Sequence, residues 1–281
     1  MFCIKSANSL SFEQSGLIVT EHNNFGSLRK GRIYLNNLYI IINFTYLPVC
    51  LMYNKVMNII DKLKNKVVVS VQAMPNEPLY KEECMIAMMQ SVLKGGAGGL
   101  RVAGSRDVRN AKKLTDVPVI GLTKPDSIPA NWQEIVYITP TLKEVTELVR
   151  AGADIIAFDG TQRKRPNCTV EEIIKFIKIN NRISMADIST IDEGIACDKM
   201  GVDMISTTLS GYTQYSPLKN NEPDFELLEN LVKNTSKPVV LEGRIWKPEE
   251  VTKAFELGAH CVVIGSAITR PQLITKRFIQ R

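Results

Sequence analysis

The chain has 281 residues, enough for one large domain, and an α/β barrel of about 250 residues would use nearly all of them. Its hydrophobic share of 44% and charged share of 23% are near globular averages, which argues against a disordered or membrane-embedded protein. The formal net charge is +6, but half of it comes from residues 1–56. The remaining excess suits an anionic small molecule better than nucleic acid, so neither nucleic-acid nor membrane binding is expected.

Residues 1–56 show no alternation of strands and helices. Their most apolar stretch, residues 38–52, is too short to span a bilayer and lies too far from the N-terminus for an ordinary signal peptide. Three interpretations are open: a segment absent from the mature protein, an element closing the bottom of a barrel, or a membrane anchor. We favour the first, because a barrel pattern begins at Met57. The predicted organisation is therefore an N-terminal extension over 1–56 and a single domain over 57–281.

A repeated pattern fills the rest of the chain. In each copy a helix ends at a glycine and a buried strand follows within a few residues, at residues 96–102, 152–158, 201–206 and 258–264. The copies recur roughly every fifty residues, which leaves room for one further strand and helix between neighbours. Short apolar runs supply those intervening strands at residues 66–72, 117–122, 182–186 and 237–241.

Helical patterns alternate with these strands, at residues 82–94, 141–150, 170–179 and 247–257. A ninth extended piece, residues 135–138, is assigned to the connection after the third strand. Eight strands alternating with helices predict a parallel sheet, and four copies of a double unit favour its closure. The predicted fold class is α/β, a (β/α)8 TIM barrel of the ribulose-phosphate-binding type.

In such barrels the chemistry lies at the carboxyl ends of the strands. Each of the eight predicted strands delivers a polar group, or a backbone suited to phosphate, to that rim. In chain order these are Gln72, Arg101, Lys124, Asp159, Asp187, Thr207 with Thr208, Glu242 and Gly265 with Ser266. The predicted site is therefore the rim itself.

Two of these residues have the types needed for acid–base chemistry. Lys124 ends an apolar strand just before Pro125, where desolvation and nearby cations can lower the pKa of an amine. Glu242 ends another strand and is followed by Gly243. A carboxylate converging with a lysine suits paired acid and base roles. The alternatives are a surface lysine at Lys124 and a structural ion pair between the two residues.

Other rim residues suit binding. Asp159 and Asp187 each precede hydroxyl residues and could hold sugar hydroxyls or cap the next helix, with capping favoured for Asp159. Arg101 could pair with an aspartate or grip an anion. Glycine-bearing loops after the last two strands, with Gly243 and with Gly265, Ser266 and Arg270, form the kind of pair that binds phosphate in this architecture.

Cysteine and histidine patterns indicate neither metal nor redox chemistry. The six cysteines include no CxxC pair, so no metal site is expected and a reduced cytoplasmic protein is the simplest expectation. Only two histidines are present, and His260 enters an apolar strand, which makes histidine catalysis a poor hypothesis. The oligomeric state is not encoded in any pattern; a homodimer is one alternative.

The rim motifs together resemble the N-acetylmannosamine-6-phosphate 2-epimerase family, over about residue 57 to the C-terminus. The motifs are Ser70-Val71-Gln72-Ala73, Gly121-Leu122-Thr123-Lys124, Ile138-Thr139-Pro140-Thr141, Met185-Ala186-Asp187-Ile188-Ser189-Thr190, Thr207-Thr208-Leu209-Ser210-Gly211-Tyr212-Thr213 and Glu242-Gly243-Arg244-Ile245. Gly160 and Leu241 depart from the family pattern, each standing where alanine is usual, and residues 1–56 match nothing in it.

The resemblance implies an enzyme that interconverts N-acetylmannosamine 6-phosphate and N-acetylglucosamine 6-phosphate in sialic acid catabolism, without metal or nucleotide cofactor. It implies roles residue by residue. Lys124 and Glu242 would be the catalytic pair. The sugar would be held by Gln72, Arg101, Asp187 and Thr208, and the phosphate by Gly243, Gly265, Ser266 and Arg270.

Two other function classes stay open at this point. A lysine at a barrel strand end can form an imine with a carbonyl substrate, as in a Schiff-base aldolase or lyase acting on a phosphosugar. A barrel that binds a phosphosugar without catalysis is the other. The sequence also does not assign which of Lys124 and Glu242 moves which proton.

Overall fold

A computed structural model describes residues 58–217 and 220–280, together with the backbone of three short strands nearer the N-terminus. The chain divides into two compact units, Met1–Asn58 and Ile59–Arg281. In the first unit, strands β1 (Ile18–Val19), β2 (Arg32–Leu35) and β3 (Leu38–Ile41) form an antiparallel sheet in the order β1-β3-β2. Most of the apolar stretch at residues 38–52 lies outside the described residues, and its absence from the mature protein stays a prediction.

The second unit is a closed parallel barrel of eight strands, as predicted. The strands are β4 (Lys66–Val71), β5 (Gly99–Ala103), β6 (Val119–Leu122), β7 (Ile155–Asp159), β8 (Ile183–Asp187), β9 (Met204–Ser206), β12 (Val239–Glu242) and β13 (Cys261–Ile264). They follow one another around the barrel in chain order, and β13 pairs with β4 to close it. A small hairpin, β10 (Tyr212–Thr213) and β11 (Ser216–Pro217), follows β9.

Helices surround the barrel. After a helical segment α1 at residues 58–63 come α2 (Glu82–Lys94), α3 (Gly104–Leu114), α4 (Leu142–Ala151), α5 (Val170–Ile179), α6 (Ile191–Lys199), α7 (Phe225–Asn234), α8 (Pro248–Glu256), α9 (Ser266–Thr269) and α10 (Pro271–Ile279). Three of them, α4, α5 and α6, begin with a capping box of threonine and glutamate. Each box satisfies free N–H groups at the helix start, so the chain turns into the helix at a defined residue.

Side-chain alternation decides what faces the interior of the barrel. A buried apolar cluster includes the inward faces of the helices and one face of the strands. Its strand residues include Leu100 and Val102 of β5, Ala186 of β8, Ile188 just after β8, and Leu241 of β12. Successive residues of a strand point to opposite faces of the sheet. Arg101, Asp187 and Glu242 therefore point into the barrel. Ser206 also points into the barrel, because its neighbour Ile205 points the other way, into that cluster.

Two details differ from the sequence expectations. Arg101 is not the last residue of its strand, because β5 continues to Ala103. Lys124 and Thr208 each lie two residues beyond the end of a strand. Residues 135–138 are not a strand; the Ile138 carbonyl accepts from the Asp159 N–H at 3.1 Å, which fixes this piece in the connection after β6 as predicted. Among the described residues no helix is long and apolar enough to cross a membrane.

Candidate active site

A cavity of about 510 Å³ opens at the carboxyl ends of the barrel strands. Eight of the ten predicted site residues line it: Gln72, Lys124, Thr208, Glu242, Gly243, Gly265, Ser266 and Arg270. The other two, Arg101 and Asp187, are buried in the barrel interior, where they contact Glu242 and Thr208 of the cavity wall. The structure thus brings all ten into one continuous cluster.

Arg101 and Asp187 form a buried ion pair below the cavity. The Arg101 Nη2–Asp187 Oδ2 distance is 2.6 Å and Nη1–Oδ1 is 3.3 Å, with side-chain exposures of 1% and 0%. Arg101 Nη1 also lies 3.3 Å from Glu242 Oε2. Desolvation opposes the charge of Arg101, yet the carboxylates of Asp187 and Glu242 prevail and raise its pKa. Arg101 therefore supplies a permanent positive charge directly beneath Glu242.

Thr208 joins the two carboxyl groups. Its Oγ1 lies 2.8 Å from Asp187 Oδ1 and 3.0 Å from Glu242 Oε2, and Ser206 Oγ is a third neighbour at 2.8 Å. These distances are those of O–H···O hydrogen bonds. The sequence indicated Thr208 as a residue near a strand end and, through the family resemblance, as a sugar-binding residue, but it did not indicate Ser206 as a site residue.

Glu242 ends β12 with its backbone fixed and its carboxyl group partly open to the cavity. The Thr207 hydroxyl accepts from the Glu242 N–H and donates to the Glu242 carbonyl, both at 3.1 Å. Burial raises the pKa of the Glu242 carboxyl, and the negative charge of Asp187 acts in the same direction. Arg101 and Lys124 oppose that shift without reversing it. A carboxyl with a raised pKa can serve as a proton donor near neutral pH.

Lys124 lies on the same cavity wall, two residues after β6. The crowded protein wall around its amine removes solvating water, and this desolvation, with the charges of Arg101 and Arg270, lowers the pKa of Lys124 to about 8. The side chain keeps an exposed face toward the cavity, so a bound ligand would find the amine accessible. Within the described part of the chain Lys124 forms no ion pair, since Glu242 pairs with Arg101 instead. The structural Lys124–Glu242 pair considered from the sequence is therefore wrong.

The phosphate-suited end of the cavity is built from two loops. Gly243 and Arg244 both have left-handed backbone, with φ of 114° and 59°, which turns the chain sharply after Glu242. Arg244 also lines the cavity and donates to the Ser210 carbonyl at 2.6 Å and the Glu222 carbonyl at 2.7 Å. Gly265 and Ser266 begin α9 on the other side. The guanidinium of Arg270 follows them and lies 3.2 Å from Glu77 Oε1.

Gln72 presents an unused hydrogen-bonding atom. Its Nε2 donates to Ser70 Oγ at 2.8 Å, while its Oε1 is buried with no hydrogen-bond partner among the described residues. A buried carbonyl oxygen without a donor is costly, so a ligand N–H or O–H that reached it would be bound favourably. This agrees with the predicted role of Gln72 in holding a sugar.

Asp159 is a structural residue. Its Oδ2 pairs with Arg163 Nη2 at 2.5 Å, and its Oδ1 accepts from the backbone and hydroxyl of Thr161. The expectation that it caps the next helix is wrong, because Thr169 caps α5.

The sequence also missed the aromatic cavity wall of Tyr137, Tyr212 and Trp246. Tyr212 was quoted only as part of a family motif.

Comparison with known proteins identifies the family. Residues 85–281 match the family described as "Putative N-acetylmannosamine-6-phosphate epimerase". A relative from Clostridioides difficile (strain 630), named "Putative N-acetylmannosamine-6-phosphate 2-epimerase", is 48% identical over 223 residues, which are 79% of this chain and 97% of the relative. A relative of the same name from Clostridium perfringens (strain 13) is also 48% identical, over 78% of this chain and 97% of the relative.

Solved structures agree with this assignment. The N-acetylmannosamine-6-phosphate 2-epimerase of Clostridium perfringens is similar with a TM-score of 0.74 and 47% identity, covering 78% of this chain and 94% of that one. Thiamine phosphate pyrophosphorylase from Pyrococcus furiosus, at 17% identity and a TM-score of 0.52, shares the fold alone. The match in sequence over almost the whole length of its relatives, and in structure, shows that the chain belongs to the N-acetylmannosamine-6-phosphate 2-epimerase family.

Proposed function

We propose that this chain is an isomerase that converts N-acetylmannosamine 6-phosphate to N-acetylglucosamine 6-phosphate by proton transfer at C2, in the breakdown of sialic acid and amino sugars. One observation carries the proposal: a lysine with a lowered pKa and a carboxyl group with a raised pKa line the same cavity. Both shifts move the groups toward the neutral range in which they exchange protons with a substrate.

The chemistry needs two proton carriers. Epimerisation of the open-chain sugar removes the proton on C2, next to the C1 aldehyde, and the electron pair moves onto the C1 oxygen as an enolate. A proton then returns to the opposite face of C2, and the acetamido group stays on that carbon. Lys124 in its amine form serves as one proton carrier and Glu242 as the other. Arg101, held under Glu242 by Asp187, contributes positive charge where negative charge develops.

The remaining polar groups suit the ends of a phosphosugar. Gln72 and Thr208 face the cavity beside Glu242 and are proposed to bind the sugar. At the other end, Gly243, Gly265 and Ser266 are proposed to bind the phosphate with Arg270, the arrangement in which phosphate sits between glycine-bearing loops of a barrel. Arg101 and Asp187 are buried, so we propose that they act on the sugar indirectly, through Glu242 and Thr208, which they contact.

The test of the proposal is hydrogen exchange at C2. N-acetylmannosamine 6-phosphate is incubated with the enzyme in heavy water and followed by NMR. We expect loss of the C2 proton signal and the appearance of both epimers carrying deuterium at C2. Tight binding of the sugar without exchange would instead identify a binding protein, and cleavage of the carbon chain would identify a lyase.

Replacing Arg270 by glutamine is expected to raise KM for the phosphosugar about tenfold or more, because a charge-assisted hydrogen bond to phosphate would be lost. The kcat value should change much less, since the phosphate does not react. Arg109→Gln is the matched control, because Arg109 is an exposed arginine on α3. An unchanged KM in the Arg270 variant would remove this residue from the phosphate site.

The rate of exchange should also depend on pH in a definite direction. Lys124 can remove a proton only as the neutral amine, so kcat/KM should rise with pH, with its midpoint near the Lys124 pKa of about 8 and a plateau above it. The charge of Arg270 helps to lower that pKa, so the same rise should lie at higher pH in Arg270→Gln. Data above pH 7 avoid the second ionisation of the substrate phosphate, near pH 6. If the rise of kcat/KM with pH did not move in this variant, its assignment to Lys124 would be contradicted.

Two further expectations belong with this proposal. The four cysteines of the described region, Cys84, Cys168, Cys197 and Cys261, are free, as expected for the proposed cytoplasmic location. A homodimer stays a prediction, which sedimentation of the full chain would test.

A further inference from the structure

Arg270 is held by a residue from another connection of the barrel. Its Nη1 lies 3.2 Å from Oε1 of Glu77, which belongs to the connection between β4 and α2. Arg270 itself lies at the junction of α9 and α10, after the last strand. The contact therefore joins the connections that follow the first and last strands of the barrel, and the first of these also carries Gln72 of the cavity wall.

The carboxylate of Glu77 is fixed from its own side. Its Oε2 accepts from the Met74 N–H at 2.8 Å, and the Glu77 N–H donates to the Met74 carbonyl at 2.8 Å. These two hydrogen bonds close a turn around the carboxylate. Its Oε1 also accepts from Gln272 Nε2 at 3.2 Å, and only 18% of the side chain is exposed. Glu77 is therefore a fixed group, and the longer side chain of Arg270 is the one that it orients.

The contact with Glu77 leaves most of the Arg270 guanidinium free. A guanidinium carries five N–H donors in a fixed fork. In the described part of the chain, Glu77 is the one ion-pair partner of Arg270, and it is reached through Nη1. The Arg270 side chain is 29% exposed and lines the cavity. A carboxylate that took the place of phosphate would meet the fork with both oxygens, but the second oxygen of Glu77 is hydrogen-bonded to Met74.

We infer that Glu77 is a positioning residue for phosphate binding. It holds the guanidinium of Arg270 against the cavity wall, with N–H groups of Arg270 left to bind the phosphate of the substrate. An arginine that is ordered before the ligand arrives loses less conformational freedom on binding. Glu77 is not among the residues that line the cavity, so it acts through Arg270. The inference rests on the proposed function, in which Arg270 binds the phosphate, and adds a residue to that site.

Glutamine cannot replace the carboxylate at this position. An amide has one acceptor oxygen and one NH₂ group. If the oxygen keeps the hydrogen bond from Met74, the NH₂ group faces the donors of Arg270 and Gln272. We therefore expect Glu77→Gln to release Arg270 and to weaken binding of the phosphosugar about fivefold, within the cost of ordering one such side chain. Loss of a negative charge near the phosphate would by itself strengthen binding, so the direction of the change separates positioning from simple charge removal.

The probe is N-acetylmannosaminitol 6-phosphate, the reduced sugar, which has no aldehyde and so is not epimerised. Its dissociation constant is measured by calorimetry for the natural protein, Glu77→Gln and the control Glu83→Gln, which removes an exposed glutamate of α2 and should leave binding unchanged. Inorganic phosphate, followed by ³¹P NMR, is the second probe. It reports on the phosphate site without the sugar, so the same fivefold ratio is expected even if the proposed epimerase activity fails. In the C2 exchange assay, KM should rise by that factor and kcat should stay within about twofold.

The Arg270→Gln background tests whether Glu77 acts through Arg270. We expect Glu77→Gln to cause no further loss of binding there, because the effects of two residues that act through one contact are not additive. Glu77→Asp keeps the charge but shortens the reach of the carboxylate by one methylene group, so it should weaken binding in the same direction. The inference is overturned by equal or tighter binding in either Glu77 variant, or by a further fivefold loss in the Arg270→Gln background.

Discussion

Lys124→Met is expected to lower kcat for deuterium exchange at C2 by about a thousandfold, within the range that a positioned general base contributes. Methionine keeps the length and apolar stem of lysine but has no group that takes up a proton. The amine of Lys124 has a pKa of about 8, so a useful fraction of it is neutral at pH 7.5 and its loss removes the base. The measurement is NMR of the C2 proton in heavy water under single-turnover conditions.

Lys113→Met is the control for this variant, because Lys113 is an exposed lysine on α3 and its loss should leave exchange unchanged. Borohydride reduction in the presence of substrate separates the base from an imine-forming lysine. We expect no covalent adduct on Lys124. An adduct on that residue would mean that the lowered pKa of Lys124 serves a Schiff-base reaction, and exchange that persisted in Lys124→Met would assign the base elsewhere.

The barrel was predictable because its pattern is local. Each strand is a short apolar run covered by helices on its outer face, and each of the recurring glycines follows a helix end, so eight strands could be counted without knowing any long-range contact. Gly152, for example, ends α4 with φ of 94°, a conformation that favours glycine. Residues 1–56 carry no comparable pattern, and no description of most of that segment followed from the sequence.

The site was predictable as far as strand ends specify it. Glu242 and Asp187 are the last residues of their strands, so the rule that barrel chemistry lies at carboxyl ends located them. The rule does not state which residue contacts which. Arg101 pairs with Asp187, 86 positions later in the chain, because the closed barrel brings both side chains into its interior. Asp159 pairs instead with Arg163, four residues after it.

Contacts between side chains of different elements were the part that sequence could not supply. Lys124 and Glu242 were considered as an ion pair because their charges are opposite, but the arginine beneath them is closer to Glu242. Tyr137 lines the cavity from the connection after β6, and Tyr212 lines it from the hairpin strand β10. Loop conformation of this kind is set by tertiary packing and leaves no periodic signal.

Arg101→Met is expected to destabilise the barrel by about 3–5 kcal/mol, the cost of leaving buried carboxylates without their partner. Arg101 is 1% exposed and contacts both Asp187 and Glu242, so methionine would fill its space while removing the charge that pairs with the buried Asp187. Urea unfolding followed by circular dichroism measures the change. An equal midpoint and slope for the variant and the natural protein would contradict a stabilising role for this pair.

A second variant separates stability from chemistry. In Arg101→Met with Asp187→Leu the buried carboxylate of Asp187 is removed along with its partner, and apolar replacement of a buried ion pair is often neutral or stabilising. We expect this double variant to recover much of the lost stability but no C2 exchange, because Glu242 no longer has a positive charge beneath it and Thr208 loses its contact with Asp187. Lys175→Met, which breaks the exposed pair of Lys175 with Glu171, should change the midpoint far less, since water already screens that pair. Recovery of stability without activity would show that the loss of C2 exchange comes from the missing charge beneath Glu242 and not from unfolding.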